Sequence, residues 1–139
     1  MAKVLNYGMV GGGPDAFIGD AHRRAISLDE SARLVAGVFS RNAEKSKKMG
    51  EVLHIEEERC YKDYETMALE EAKREDGIDF VVVVTPNASH YEICKAFLNA
   101  GIHVVCDKPV TTTYEKAVEL QKLAEEKSLL FMVTYTYMG

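Results

Sequence analysis

The chain has 139 residues, with 17 Lys+Arg against 22 Asp+Glu for a formal net charge of −5, and 47% of its residues are hydrophobic. That is the size of one globular domain, residues 1–139, and at this length folding buries roughly 68–70% of the unfolded surface, so a core forms without disulfides or metal. The acidic balance carries no basic stripe, because the run Lys45, Lys47, Lys48 is diluted at once by Glu51, Glu56, Glu57 and Glu58, and nucleic acid is disfavoured as a partner.

Val4 to Val10 is a short apolar run that ends in Gly11-Gly12-Gly13-Pro14, a strand followed by a turn. From Ile18 the apolar residues Ile18, Ala21, Ala25 and Leu28 recur at helical spacing. Leu34 to Phe39 reads as a second strand, after which Asn42 caps a helix through Met49. Residues 51–62 are charged and illegible apart from Cys60-Tyr61, which hints at a short strand. Asp63 caps a helix through Arg74 whose buried face takes Tyr64, Met67, Ala68 and Ala72, and Gly77 ends it in a left-handed conformation. Phe80-Val81-Val82-Val83-Val84 is continuously apolar and β-branched, as a central parallel strand covered on both faces requires. Ile93, Cys94, Phe97 and Ala100 mark the next helix, Gly101 stops it, and Ile102 to Cys106 is another strand. Thr112 and Glu115 form a capping box for a helix to Lys127, and Leu129 to Thr134 is the last strand.

Alternating strands and helices imply a parallel sheet, since each parallel pairing needs a long crossover. The fold expected is α/β, a doubly wound, Rossmann-like parallel sheet. Cys60, Cys94 and Cys106 are odd in number and widely spaced, so they read as buried free thiols of a reducing compartment. No apolar run approaches the ~20 residues that cross a bilayer, so no membrane is expected and the location expected is cytoplasmic. His22, His54, His90 and His103 lie on separate elements without ligand spacing, and no metal is expected.

In an open α/β sheet ligands gather at the carboxyl ends of the strands. The first such end, Gly11 to Gly19, is similar to a G-x-G-x-x-G fingerprint with three extra residues: its glycines allow a tight turn, and the following helix offers free N–H groups to a pyrophosphate. The same residues also read as a plain glycine turn. The second end is Ser40-Arg41, without a carboxylate, which tilts the cofactor toward NADPH over NADH; a helix-capping serine and a solvated arginine are the alternative. The valine strand ends in Thr85-Pro86-Asn87-Ala88-Ser89-His90, and the next in Cys106-Asp107-Lys108-Pro109, where one ammonium is presented at the mouth of a buried strand. Asn87 and Ser89 read equally as caps, His90 as an exposed first-turn residue, and Lys108 as a surface lysine.

Taken in order, the glycine-rich turn with Gly19 and His22, Thr85-Pro86-Asn87 with His90, Ala100-Gly101-Ile102-His103-Val104, and Asp107-Lys108-Pro109 resemble the N-terminal domain of the family of glucose-fructose oxidoreductase, inositol dehydrogenase and rhizopine-catabolism proteins. The resemblance implies that Gly11, Gly13, Phe17, Ile18 and Gly19 hold the pyrophosphate and that Ser40 and Arg41 meet the adenine ribose. Thr85, Pro86, Asn87 and His90 would line the nicotinamide side, and Asp107-Lys108-Pro109 takes the place of the family's Glu-Lys-Pro motif, with Lys108 as the catalytic residue. Asp107 shortens the carboxylate by one methylene, and the insertion within residues 14–17 alters the glycine loop.

The family also carries a second α+β domain with an Asp and a His for proton transfer, which these residues do not contain. The expected function is the cofactor-binding domain of an NADP- or NAD-dependent oxidoreductase acting on a sugar, cyclitol or related polyol, inactive by itself. A non-catalytic dinucleotide sensor and a nucleotide-free interaction domain are the alternatives. The surface near Phe131, Met132, Tyr135 and Tyr137 is expected to self-associate, giving a homo-oligomer.

Overall fold

The computed structural model describes residues 5–11, 32–40, 42–84, 90–107 and 114–134. Its strands are β1 (Leu5–Gly11), β2 (Ala32–Val38), β3 (Phe80–Val84), β4 (His103–Asp107) and β5 (Phe131–Thr134). They form one parallel sheet in the order β2-β1-β3-β4-β5. The helices are α1 (Ala43–Val52), α2 (Tyr64–Lys73), α3 (His90–Asn99) and α4 (Tyr114–Glu126). The helix expected from Ile18 and the Thr112 capping box lie outside the described residues. No helix among the described residues is long and apolar enough to cross a membrane.

The sheet is central because β3 is apolar on both faces: Val81, Val82 and Val83 are all 0% exposed. Burying each contributes on the order of 1.5 kcal/mol or more. Val81 and Val83 join Val10, Val104 and Cys106 beneath Met67 and Ala68 of α2, Ile93 and Phe97 of α3 and Leu120 of α4. Val82 faces the other way, with Tyr7 and Met9 of β1, Phe39, Ile55, Met49 of α1 and Leu53 just beyond that helix. On that face the Tyr7 and Phe80 rings stack with centroids 5.3 Å apart.

β2 breaks its own alternation. The register slips between Tyr7↔Leu34 and Gly8↔Ala36, so an extra residue, Val35, is inserted. Ala32 and Leu34 face the Tyr7 side, whereas Ala36 and Val38 face the Val81 side, although all four are even-numbered. A bulge shifts side-chain parity in this way.

Cys60-Tyr61 is less than the strand expected. Cys60 makes one parallel bridge to Gly37, and the Tyr61 N–H donates to the Gly37 carbonyl at 2.9 Å. A 3-10 turn over Glu57–Arg59 runs up to it and the Asp63 cap follows at once, leaving no length for a ladder. With this bridge on the outer edge of β2, the sheet has the Rossmann order with its third strand reduced to a single pairing.

One charged residue of this stretch is buried, although Glu56, Glu57 and Glu58 beside it are exposed. Arg59 is 5% exposed and Glu71, on α2, is 1% exposed. Arg59 Nε donates to Glu71 Oε2 at 3.1 Å and Nη2 donates to Oε1, a bidentate pair. The Tyr61 hydroxyl donates to Glu71 Oε2, and Arg59 Nη2 also donates to the Asp76 carbonyl at 3.1 Å. Glu71 therefore takes the inward position expected for Ala72, which is exposed. Gly77 also differs from expectation. Positive φ among the described glycines occurs at Gly11 and Gly101, and α2 ends instead with Arg74 in extended conformation. Gly77 answers a close approach: a Cβ there would lie 2.1 Å from the Glu71 carbonyl oxygen.

The caps follow expectation. Asn42 accepts from the Lys45 N–H at 3.1 Å, and Asp63 from the Thr66 N–H at 2.7 Å. Three helix ends form Schellman closures, α3 through Gly101 (φ 83), α1 through His54 (φ 61) and α4 through Ser128 (φ 57). At α4, for instance, Ser128 N–H donates to Glu125 O at 3.2 Å and Leu129 N–H to Ala124 O at 2.8 Å.

Since a side chain in this left-handed region costs about 1–2 kcal/mol, Ser128→Gly is expected to raise stability by roughly 1 kcal/mol in denaturant unfolding, and Gly101→Ala to lower it similarly. Burial, and then the hydrogen bond to Glu71 and its charge, hold the Tyr61 phenol well above its usual range. Its folded-state value is raised, so its contribution is full below about pH 10 and is lost as pH rises toward the folded value. Melting temperature against pH is expected to fall less steeply above pH ~10 in Tyr61→Phe than in the unaltered chain.

Candidate cofactor-binding site

The chain leaves β1 to form β2 on one side and later returns to form β3 on the other, so the winding reverses between β1 and β3. The carboxyl ends of these two strands are level, with Gly11 in register with Val84. Gly11 turns out of the sheet at φ 96, a conformation that L side chains rarely adopt, and it brings no side chain to the crevice. Bare backbone at a switch point suits a dinucleotide pyrophosphate, because nothing at Gly11 blocks its approach. Gly13, Phe17, Ile18 and Gly19, which were expected to complete this turn, lie outside the described residues.

At the end of β2, Ser40 is half-buried, and its hydroxyl accepts from the Asn42 N–H at 3.1 Å. The hydroxyl keeps its own proton to donate. Arg41 lies outside the described residues. One residue earlier, the Phe39 N–H donates to Ser46 Oγ at 3.0 Å, a buried bond. Sequence reading missed Ser46; its only signal was a small hydroxyl residue in the first turns of a helix that follows a strand directly.

Asp107 is the last residue of β4, paired through Val83↔Cys106 one position earlier to β3 and through Asp107↔Thr134 to β5. Lys108 follows it in the chain and lies outside the described residues, as do Thr85, Pro86 and Asn87. His90 opens α3 and is 1% exposed, so it belongs to the enclosed wall of this end of the sheet and not to an exposed first turn. Cys94, one turn further on, and Cys106 are buried, and the Cys94 thiol is pushed well up by its hydrogen bond to Cys106 and by burial. Cys94 is thus held as the neutral thiol. Cys60 is half-buried, less enclosed than expected. Among the described residues no three His, Cys, Asp or Glu side chains are grouped to hold a metal ion.

This strand order, with a positive-φ glycine at its switch point, defines a dinucleotide-binding Rossmann domain. The family described as an oxidoreductase family with an NAD-binding Rossmann fold matches residues 5–135, and the chain belongs to it, the Gfo/Idh/MocA family. The chain is 46% identical to the Bacillus subtilis protein named uncharacterized oxidoreductase YfiI, with all of the chain and 36% of that protein covered. A scyllo-inositol 2-dehydrogenase (NADP(+)), IolW, of the same organism is 43% identical over 65 residues, 47% of the chain and 18% of that protein. An inositol dehydrogenase homologue from Azotobacter vinelandii, solved with NAD+, superposes with a TM-score of 0.93 at 42% identity, covering 96% of the chain and 34% of that protein. The chain therefore spans about a third of the length of relatives it matches from end to end.

Gly11→Ala is expected to lower unfolding free energy by about 1–3 kcal/mol in denaturant titration, because the new Cβ must hold a sparsely populated dihedral.

Proposed function

We propose that this chain forms the cofactor-binding part of an NAD(P)-dependent oxidoreductase that moves hydride between a nicotinamide and a hydroxyl-bearing carbon of a sugar, cyclitol or related polyol. The single observation that carries the reading is Gly11, turned out at φ 96 opposite Val84 where the winding reverses, in a chain of this family. The polyol class is supported by the Azotobacter relative, which was also solved with NADH and myo-inositol. NADPH is favoured over NADH: the β2 end offers a Ser40 hydroxyl with a proton to donate and the Arg41 guanidinium, and no carboxylate that would repel a 2′-phosphate.

A bound nicotinamide supplies the hydride acceptor or donor. The chain's own residues would do the rest. The backbone at Gly11, Gly13 and Gly19, with Phe17 and Ile18, would cradle the pyrophosphate, while Thr85, Pro86, Asn87 and His90 bound the nicotinamide side. Lys108, as the ammonium, would steady the negative charge that develops on the substrate oxygen when its proton leaves, with Asp107 beside it. The buried Cys94 and Cys106 belong to the apolar core between the sheet and α3.

Fluorescence titration of the chain with NADPH and NADH is expected to show binding of both, tighter for NADPH. Arg41→Ala is expected to weaken NADPH about tenfold and NADH less than about twofold, the loss of one charge-assisted phosphate contact. Failure to bind either nucleotide at millimolar concentration would overturn the reading. Binding without oxidation of any polyol by the full-length protein would turn it toward a sensor.

A further inference from the structure

We propose that Ser46 is a positioning residue for the adenosine end of the cofactor, an inference that rests on the dinucleotide site proposed above. β2 stops at Val38, which is still in register with Val10 of β1, so the Phe39 N–H lies beyond the ladder. That N–H is buried and its hydrogen-bond partner is Ser46 Oγ at 3.0 Å. Ser46, 3% exposed, is also bound through its own N–H, which donates to the Asn42 carbonyl at 3.0 Å. Asn42 in turn donates its N–H to Ser40 Oγ and accepts from the Lys45 N–H through Oδ1, both at 3.1 Å.

Ser40 is thus held between two anchors, Phe39 and Asn42, and both of them are fastened to Ser46. The edge bridge fastens Ser46 from the opposite side: the Cys60 thiol donates to the Ser46 carbonyl at 3.4 Å, and its sulfur lies 3.8 Å from Ser46 Oγ. Gly50 leaves room for that thiol, since a Cβ there would approach the Cys60 sulfur to 3.1 Å.

The Ser40 hydroxyl is therefore placed by bonds within the protein, at Phe39 on one side and at Asn42 on the other, and a ligand that uses it need not order it on binding. Replacing Ser46 by alanine strips the Phe39 N–H of its acceptor. A buried donor left without a partner is costly enough that the peptide must turn to find another, and Ser40 turns with it. Among the described residues these bonds join Phe39, Ser40, Asn42, Lys45, Ser46 and Cys60 and involve neither Gly11 nor Val84, so the effect is expected at one end of the dinucleotide.

The test is an NMR shift titration of the chain and of its Ser46→Ala, Ser46→Thr and Cys60→Ala variants with adenosine 2′,5′-bisphosphate and, separately, with nicotinamide mononucleotide. Ser46→Ala is expected to bind the bisphosphate about tenfold more weakly and the mononucleotide within about twofold, and Ser46→Thr, which restores an acceptor hydroxyl, to recover most of the loss. Cys60→Ala is expected to show a smaller loss with the same selectivity. Equal weakening of both fragments, or unchanged bisphosphate binding, overturns the proposal. If Ser46→Ala does not fold, Cys60→Ala decides: a selective loss supports the proposal, and affinities equal to those of the unaltered chain overturn it. An unaltered chain that binds neither NADPH nor NADH removes the dinucleotide reading itself, whereas dinucleotide binding with unselective variants removes this inference alone.

Discussion

The double burial of β3 is the constraint from which the rest of the architecture follows. A strand whose Val81, Val82 and Val83 are all hidden from water must have neighbours on both edges and cover on both faces. Parallel neighbours can be supplied only through long crossovers, and those crossovers are the helices that provide the cover. Because β2 lies on one side of β1 while β3 and β4 extend the sheet on the other, the winding has to reverse between β1 and β3. The place where a ligand can approach the strand ends is thereby fixed before any binding residue is considered.

Much of this was legible in the sequence because the relevant signals are local. Five consecutive branched or aromatic residues announced β3, Asn42 and Asp63 announced two helix starts, and Gly101 announced a stop at the residue that adopts positive φ. Gly11 was legible for the same reason, since a glycine closing an apolar run marks a turn out of the sheet. The edge bridge at Cys60 was only half legible, because a single pairing leaves almost no periodic trace.

What escaped reading is long-range or polar. Arg59 and Glu71 are twelve residues apart, and nothing near either one signals that each will satisfy the other in the interior. Charged residues are normally assigned to water, so the helix face was drawn through Ala72 when the buried position belongs to Glu71. Such a pair is weak evidence for stability in itself, yet removing one partner strands the other and costs about 3–5 kcal/mol. Tyr61, Asp76 and the close approach of Gly77 complete an arrangement that is satisfied as a whole or not at all; among the described residues no buried side-chain nitrogen or oxygen lacks a partner. The bulge at Val35 was hidden in another way, because it exchanges the two faces midway along β2 and leaves no regular alternation to read. At the site, Ser46 and the burial of His90 escaped because each depends on what packs against it.

The unequal enclosure of the three cysteines has a practical side. Two are sealed between the sheet and its helices, one on β4 and one on α3, while the third is half-buried beside β2, against the helix that follows it. Alkylating that third sulfur would break its contacts with Ser46, so a maleimide added before nucleotide is a chemical way to loosen the turn proposed to receive the adenosine moiety without altering the sequence.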